Sequence, residues 1–371
     1  MSDWTEQDLD RITKDVAGIS EVQQQLLTNA SAEMKVRDRV AHQYQIAGGR
    51  VSLQISAELP KPLQGVGLFK PGAQYVGIGR ISTGMGCPHH ETSPDFLGLR
   101  LAFLSDEDER VDFIGLNDPA APTDTGVEFM KLLAGTAESA GEGFLTSVAT
   151  MEVSLVRSLG LARGTEILAH VTKQTARTAL SSTAYQTYWT GVVETGGCLG
   201  KCVIAPAHPE SSLRKLTAGA HYLTEEWRTR QAKGPIEFQV YWIPFIDEDS
   251  TPLRKLTRGW TEERHLIATA TFPAVDYRTA EAVLWSAIAA EMGANPGNWV
   301  RDCTNSIPLP ETEFGLARKI AYQKSQEGRG VLPEAAYLDV FARGEIDDAL
   351  AAELRRRREM KRALGHVDTA G

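Results

Sequence analysis

Apolar positions change period several times along the chain. Over residues 3–34 they recur at helical spacing, with no proline and with polar residues at the start that can cap, so the spacing predicts an N-terminal helix packed on the surface. From Gly48 to Phe113 the pattern becomes short alternating runs, at 51–55, 75–81, 99–104 and 111–114, divided by segments rich in Gly, Pro and Asp. Such runs read as antiparallel strands. Helical periodicity returns at 125–133 and 142–158. Residues 184–189 and 202–205 then predict strands, a polar helix is expected at about 209–232, and two further strands at 236–243 and 265–272. The segment 311–327 has a helix-favouring composition, and the chain is helical again from Ala335. Strands, helices, strands and helices in that order lack the regular βαβ alternation. The expected class is therefore α+β, with a curved or closed antiparallel sheet. No glycine-rich phosphate loop follows a strand, which removes dinucleotides and nucleoside triphosphates as cofactors.

Composition narrows the function classes. A chain of 371 residues, 42% hydrophobic and 23% charged, can bury one large core or two ordinary ones. Its formal net charge of −9 and lack of an extended basic stripe exclude the footprint needed to neutralise phosphates, so nucleic acid is not an expected partner. The acidic start, Met-Ser-Asp-Trp-Thr-Glu, lacks the apolar core of a secretory signal, and no window approaches the roughly 18 apolar residues of a membrane span. A cytoplasmic protein with no transmembrane segment is expected. Four cysteines are too few for a disulfide framework. Cys198 and Cys202, without a second pair, read as buried or edge-strand thiols rather than metal ligands. Cys87-Pro88-His89-His90-Glu91 is the densest set of metal-ligand side chains, but its Gly, Pro and Ser surroundings favour a loop. The basic run from Glu353 to Lys361 reads as a solvated helix face.

Chemistry is suggested first by Arg318-Lys319-Ile320-Ala321-Tyr322. Arg318 and Tyr322 are four apart on a helix and share a face, where a guanidinium favours the ionised phenol. A phenolate is a hard iron ligand, although such a pair is usually just two neighbours. Near the N-terminus stand Arg39 and His42, and further on Leu68-Phe69-Lys70-Pro71-Gly72, Gly79-Arg80-Ile81-Ser82-Thr83 and Asp95-Phe96-Leu97-Gly98. Together these motifs, in this order over roughly residues 35–330, resemble the haem catalases and their smaller catalase-like relatives. The resemblance implies an antiparallel β-barrel core with surrounding helices and haem b as cofactor. It implies that Tyr322 ligates the iron beside Arg318, and that Arg39, Arg80 and Arg329 hold haem propionates. His42 would stand over the open face, held by Ser82, and Phe129 would stack on the haem. Catalase relatives are commonly oligomers, so a homo-oligomer is also implied. Three segments follow: an N-terminal helical arm over 1–34, a catalase-like haem-binding domain over 35–330, and a C-terminal helical tail over 331–371.

The pattern breaks at Gly115-Leu116-Asn117-Asp118-Pro119-Ala120-Ala121-Pro122. The large catalases carry there an Asn that donates to bound peroxide and two phenylalanines. Leu116 takes the place of the Asn, and Ala121 and Pro122 those of the aromatic rings. Losing a preorganised donor typically slows chemistry by roughly a hundredfold or more, and losing two rings widens the pocket. Asn117 remains a candidate donor. The reading is thus a haem-dependent peroxidase, peroxygenase or hydroperoxide isomerase acting on an organic substrate. Its alternatives are a catalase dismutating hydrogen peroxide, a non-catalytic haem-binding or sensor protein, and a non-haem protein with a metal at Cys87 to Glu91.

Overall fold

The computed structural model describes residues 6–32, 39, 41–42, 44–84, 91–107, 109–138, 144–176, 182–195, 197–209, 219–296, 313–327, 329 and 331–363. Among them, eight strands form one closed antiparallel barrel, each paired with its sequence neighbours. They are β1 (Gln45–Ile55), β2 (Gln74–Thr83), β3 (Leu97–Leu104), β4 (Arg110–Leu116), β5 (Tyr188–Thr195), β6 (Cys198–Pro206), β7 (Ile236–Pro244) and β8 (His265–Phe272). Pairing of β1 with β8 closes the ring, with Leu53 opposite Ala270. The expected α+β class with a closed antiparallel sheet is what the chain forms.

Strand alternation explains where the core lies. Val51, Leu53 and Ile55 point into the barrel, where they meet Leu99, Leu101, Phe103, Phe113, Tyr188, Ile204, Phe238 and Phe272. An eight-stranded barrel is just wide enough for side chains to fill it. Gly79 shows how tight the filling is, because a Cβ there would run into the Phe272 ring.

Nine α-helices among the described residues surround the barrel. The predicted N-terminal helix is α1 (Glu6–Ala32), which packs on α2 (Gly126–Glu138) and α7 (Glu313–Glu327). The start of α2 is a capping box: Thr125 Oγ1 accepts from the Glu128 N–H while the Glu128 carboxylate accepts from the Thr125 N–H. α3 (Phe144–Leu159) and α4 (Leu161–Ala176) complete a layer around Leu132, Met151, Leu155, Ile167 and Val171. On another side, α6 (Ala280–Glu291), α8 (Leu338–Arg343) and α9 (Asp348–Ala363) cover the outer faces of β2 and β3 through Ile78, Ala102, Trp285, Ile288 and Phe341.

Several boundaries differ from the sequence expectation. β1 starts at Gln45, because Gly48 and Gly49 obscure its alternation. β5 starts at Tyr188 rather than 184, since Ser182 Oγ caps a short 3-10 turn at Thr183–Tyr185 by accepting from the Ala184 N–H. The polar helix expected at 209–232 is α5 (Tyr222–Gln231), and residues 210–218 lie outside the described ones. The basic run on α9 is solvated on one side only. Arg357 and Lys361 reach Glu291 at the end of α6 and clamp the two helices together.

Glu91 is the described part of the Cys87 to Glu91 cluster; residues 85–90 lie outside the described ones. Its buried carboxylate accepts from the N–H groups of Leu223 and Thr224 and from the Thr224 hydroxyl, which occupies it as a cap for α5. Among the described residues no group of three or more His, Cys, Asp or Glu side chains is arranged to hold a metal. Cys202 is buried, and burial pushes its thiol well above the usual range. No described helix is long and apolar enough to cross a membrane.

α5 lays Trp227 against the barrel contents, edge-on to Phe272 with ring centroids 5.2 Å apart, while its indole N–H donates to Gln231 at 2.8 Å. Trp227→Ala is expected to lower the unfolding free energy by about 3–5 kcal/mol in urea titrations, the cost typical of deleting a large buried ring.

Candidate active site

With the barrel interior full, the residues that could meet a ligand are those alternation sends outward. On β2 these are Arg80 and Ser82. Register places Gly98 of β3 opposite Ser82 and Leu116 of β4 opposite Gly98, so a row of outward positions crosses the strands. Over this row, between the barrel wall and helices α2, α3, α4 and α7, lies a cavity of about 340 Å³. Arg39, His42, Arg80, Ser82, Phe129, Arg318, Tyr322 and Arg329 all line it. The structure thus brings together residues drawn from both ends of the sequence.

His42 has a left-handed backbone, with φ of 57°, an uncommon state for a residue with a Cβ. Several contacts over-determine it. Its N–H donates to the Gly84 carbonyl at 3.0 Å, its own carbonyl accepts from Arg80 at 2.7 Å, and its Nδ1 lies 3.2 Å from Ser82 Oγ. The ring rests on Gly98, where a Cβ would come within 2.6 Å of His42 Cε1. Arg80 is fixed in turn, its Nε donating to Gln45 at 3.1 Å, and Gln45 is held by Ser286 of α6. Burial first, and then the positive charge of Arg80, lower the imidazole from its ordinary 6.5 to about 4. The ring is therefore neutral across the physiological range and able to accept a proton.

Arg39 and Arg100 on the wall are held by protein groups. Arg39 donates to the carbonyl of Ala290. Arg100 donates to buried Asp112 at 2.9 Å, and Arg110 reaches the same carboxylate at 2.7 Å. Burial alone would raise the Asp112 carboxyl, but the two guanidiniums outweigh it and hold it ionised.

α7 forms the facing wall. Phe314, Arg318 and Tyr322 lie four residues apart along one side, the spacing of successive turns. The Arg318 guanidinium carbon stands 5.7 Å from the Phe314 ring centroid, and its end occupies the space a side chain at Gly191 would fill. Phe314 meets Phe129 edge-on at 5.3 Å.

Asn117 does not join the group. Its Oδ1 accepts from the Leu97 N–H at 2.8 Å and its Nδ2 donates to Gln186 at 3.3 Å, so its amide is spent stapling strand ends and is absent from the lining. The expectation that it could replace the missing donor is therefore not supported by its placement. Leu116, Ala121 and Pro122, the three departures from the catalase pattern, all line the cavity. Lys201 on β6 also lines it and escaped the sequence reading, because the flanking Cys198 and Cys202 drew the chemistry elsewhere. The signal available was a lysine inside a strand.

Comparison with solved structures finds a fungal catalase at TM-score 0.59 and 15% identity, aligned over 82% of this chain and 62% of the other. A bacterial catalase gives 0.59 and 18% over 81% and 59%, and catalase A from Saccharomyces cerevisiae gives 0.60 and 13% over 81% and 63%. This chain has the catalase fold. It spans about three-fifths of the length of those catalases. No sequence-family model matches it, and no curated protein sequence does. Within the catalase fold the cavity here sits on the outer wall of the barrel under the helical layer.

Two outcomes follow from the His42 geometry. Gly98→Ala should leave the protein folded but displace the ring, visible as a shifted His42 resonance. A proton NMR titration, assigned with His42→Gln, should place His42 near pH 4. Because its folded value is depressed, the native state loses stability as pH falls from 6.5 toward 4 and gains none above 6.5. A midpoint at 6.5 would show an imidazole exposed to water.

Proposed function

We propose that this chain holds haem b in the cavity, with Tyr322 as the iron's protein ligand and His42 on the open side, and that it is an enzyme acting on an organic hydroperoxide. The observation that carries this reading is the convergence of Arg39, His42, Arg80, Ser82, Phe129, Arg318, Tyr322 and Arg329 on one cavity. The donor set fits the group. The Tyr322 phenol is a hard oxygen donor that suits ferric iron, the apolar lining suits a flat ring system, and arginines suit propionates. Bound haem would supply an iron centre able to promote cleavage of a peroxide O–O bond.

The chain's own residues would do the rest. Ser82 engages His42 Nδ1 and leaves Nε2 for the substrate. Neutral Nε2 can take the proton from a hydroperoxide's proximal oxygen and return it to the departing distal oxygen. Arg80 holds the His42 carbonyl and so keeps the imidazole at a fixed height over the cavity floor. Leu116 offers the distal oxygen no hydrogen bond, and Ala121 and Pro122 leave space where aromatic walls would stand. Both features favour a bulkier organic hydroperoxide over hydrogen peroxide, with peroxidase, peroxygenase and isomerase chemistry all open to such a site. The same lack of a donor, with Asn117 committed elsewhere, supports a second reading in which the chain binds haem without turnover.

Purified protein supplied with haem should show a Soret band and consume a fatty-acid hydroperoxide faster than hydrogen peroxide. Tyr322→Phe should lose the normal haem spectrum. A wild-type spectrum with no consumption of any hydroperoxide would favour the second reading, and no haem uptake at all would sink both.

A further inference from the structure

Lys201 is a buried cation that the chemistry above does not use. It lies on β6, opposite Val192 and Ile243, on the outer face of the barrel, while its neighbour Cys202 points inward. Only 4% of it is exposed. Among the described residues it makes no hydrogen bond and no ion pair; its ammonium stands 4.8 Å from the centroid of the Trp260 ring. One ring face compensates little of what an ammonium loses on leaving water. Burial accordingly lowers the amine from its ordinary 10.5 to about 8.

The surroundings say what would relieve this. Lys201 lines the cavity beside apolar Trp189, Leu253 and Leu256. Trp260 is fixed by donating to the Pro252 carbonyl at 3.1 Å, and the Leu256 carbonyl accepts from the Ala121 N–H at 2.8 Å. The space left by Ala121 and Pro122 therefore adjoins the loop that covers Lys201. Position in the sheet gives the length. Ser82, which holds His42, lies in a row with Gly98, Leu116, Trp189 and Val203, four strand steps from β6. At about 4.8 Å per step that is roughly 19 Å around the wall. An uncompensated cation at one end of an apolar passage and a proton acceptor at the other describe a long amphipathic anion.

We infer that Lys201 is a substrate-binding residue that anchors the carboxylate of a long-chain acid whose hydroperoxide group reaches His42. This rests on the hydroperoxide reading above and names its substrate class. Binding needs no turnover, so the test reads it directly. The purified full chain, supplied with haem, is titrated calorimetrically with linoleic acid and with methyl linoleate, with the absorption spectrum recorded on the same sample. Wild type is expected to bind the acid more tightly than the ester by about tenfold or more, the worth of one charge-assisted hydrogen bond. Lys201→Met should bind the two equally, with ester affinity unchanged, and Lys201→Arg should restore the preference. With a long-chain acid hydroperoxide, Lys201→Met should raise KM and leave kcat nearly unchanged. Equal affinity of wild type for acid and ester, or a preference that survives Lys201→Met, overturns the inference. The wild-type comparison decides even if a variant fails to fold. Acid preference in a sample without a haem spectrum would sink the haem reading and leave the anchor standing; a haem spectrum with equal binding would sink the anchor alone.

Discussion

Closure of β1 onto β8 is the constraint from which the rest follows. Once the sheet is a ring of eight strands, its interior takes side chains and nothing larger, and the tight approach of Phe272 to Gly79 shows how completely that space is used. Alternation then assigns every second residue to the outer face, where the helices must either cover it or leave a cavity. On the β2 and β3 side α6, α8 and α9 cover it with Trp285, Ile288 and Phe341. Farther along the same strands Arg80, Ser82 and Gly98 face the gap beneath α2 and α7. A one-residue slip in register would turn Arg80 and Ser82 into the barrel and put Ile81 on the cavity. The site is therefore as strongly specified as the core, because the same pairing sets both.

His42 shows how such a wall can position one group firmly. A left-handed residue with a Cβ costs on the order of 1–2 kcal/mol, and here the backbone N–H, the carbonyl, Nδ1 and the ring face each have a partner in a different residue. Those partners are themselves fixed, Arg80 through Gln45 to α6 and Ser82 within the β2 ladder. The burial that makes this possible also keeps the imidazole neutral. Geometry and proton affinity thus have one cause, and neither can be changed without the other.

The strands were legible because apolar alternation is a direct record of a filled barrel. The residues of β7 and β8 could be read almost to their ends. Two helices escaped for opposite reasons. α6 is apolar on nearly every side, Ala, Val, Leu, Trp and Ile, because barrel and α9 bury it from both directions, so it carries no helical stripe. In α4 the apolar spacing is interrupted by Gly164, which is needed where the α4 backbone approaches that of Val156 in α3. At the site, Arg318 and Tyr322 were visible as a helical pair, and Arg39, His42, Arg80, Ser82, Phe129 and Arg329 through the catalase resemblance. Asn117 misled because its neighbour in sequence, Leu116, faces the cavity, and strand alternation sends the next residue away. Lys201 was hidden since nothing in a single strand says whether a lysine is solvated or buried beneath a loop fifty residues later.

The two ends of the cavity are built on different principles, and the difference carries meaning. Around His42 polar groups are tied to one another: Arg80 to Gln45 and the His42 carbonyl, Arg39 to Ala290, and Arg100 to Asp112. Such a network resists rearrangement, the property a reacting centre would need on the proposed function. Toward β6 the lining is apolar and the loop carrying Trp260 bends over Lys201 without supplying it a counter-charge. On the proposed function, a rigid polar end and an uncompensated apolar end would divide chemistry from recognition. Leu116, Ala121 and Pro122 line the same cavity and make none of the contacts that hold His42, so side-chain changes at these three positions reshape the lining without disturbing how His42 is held.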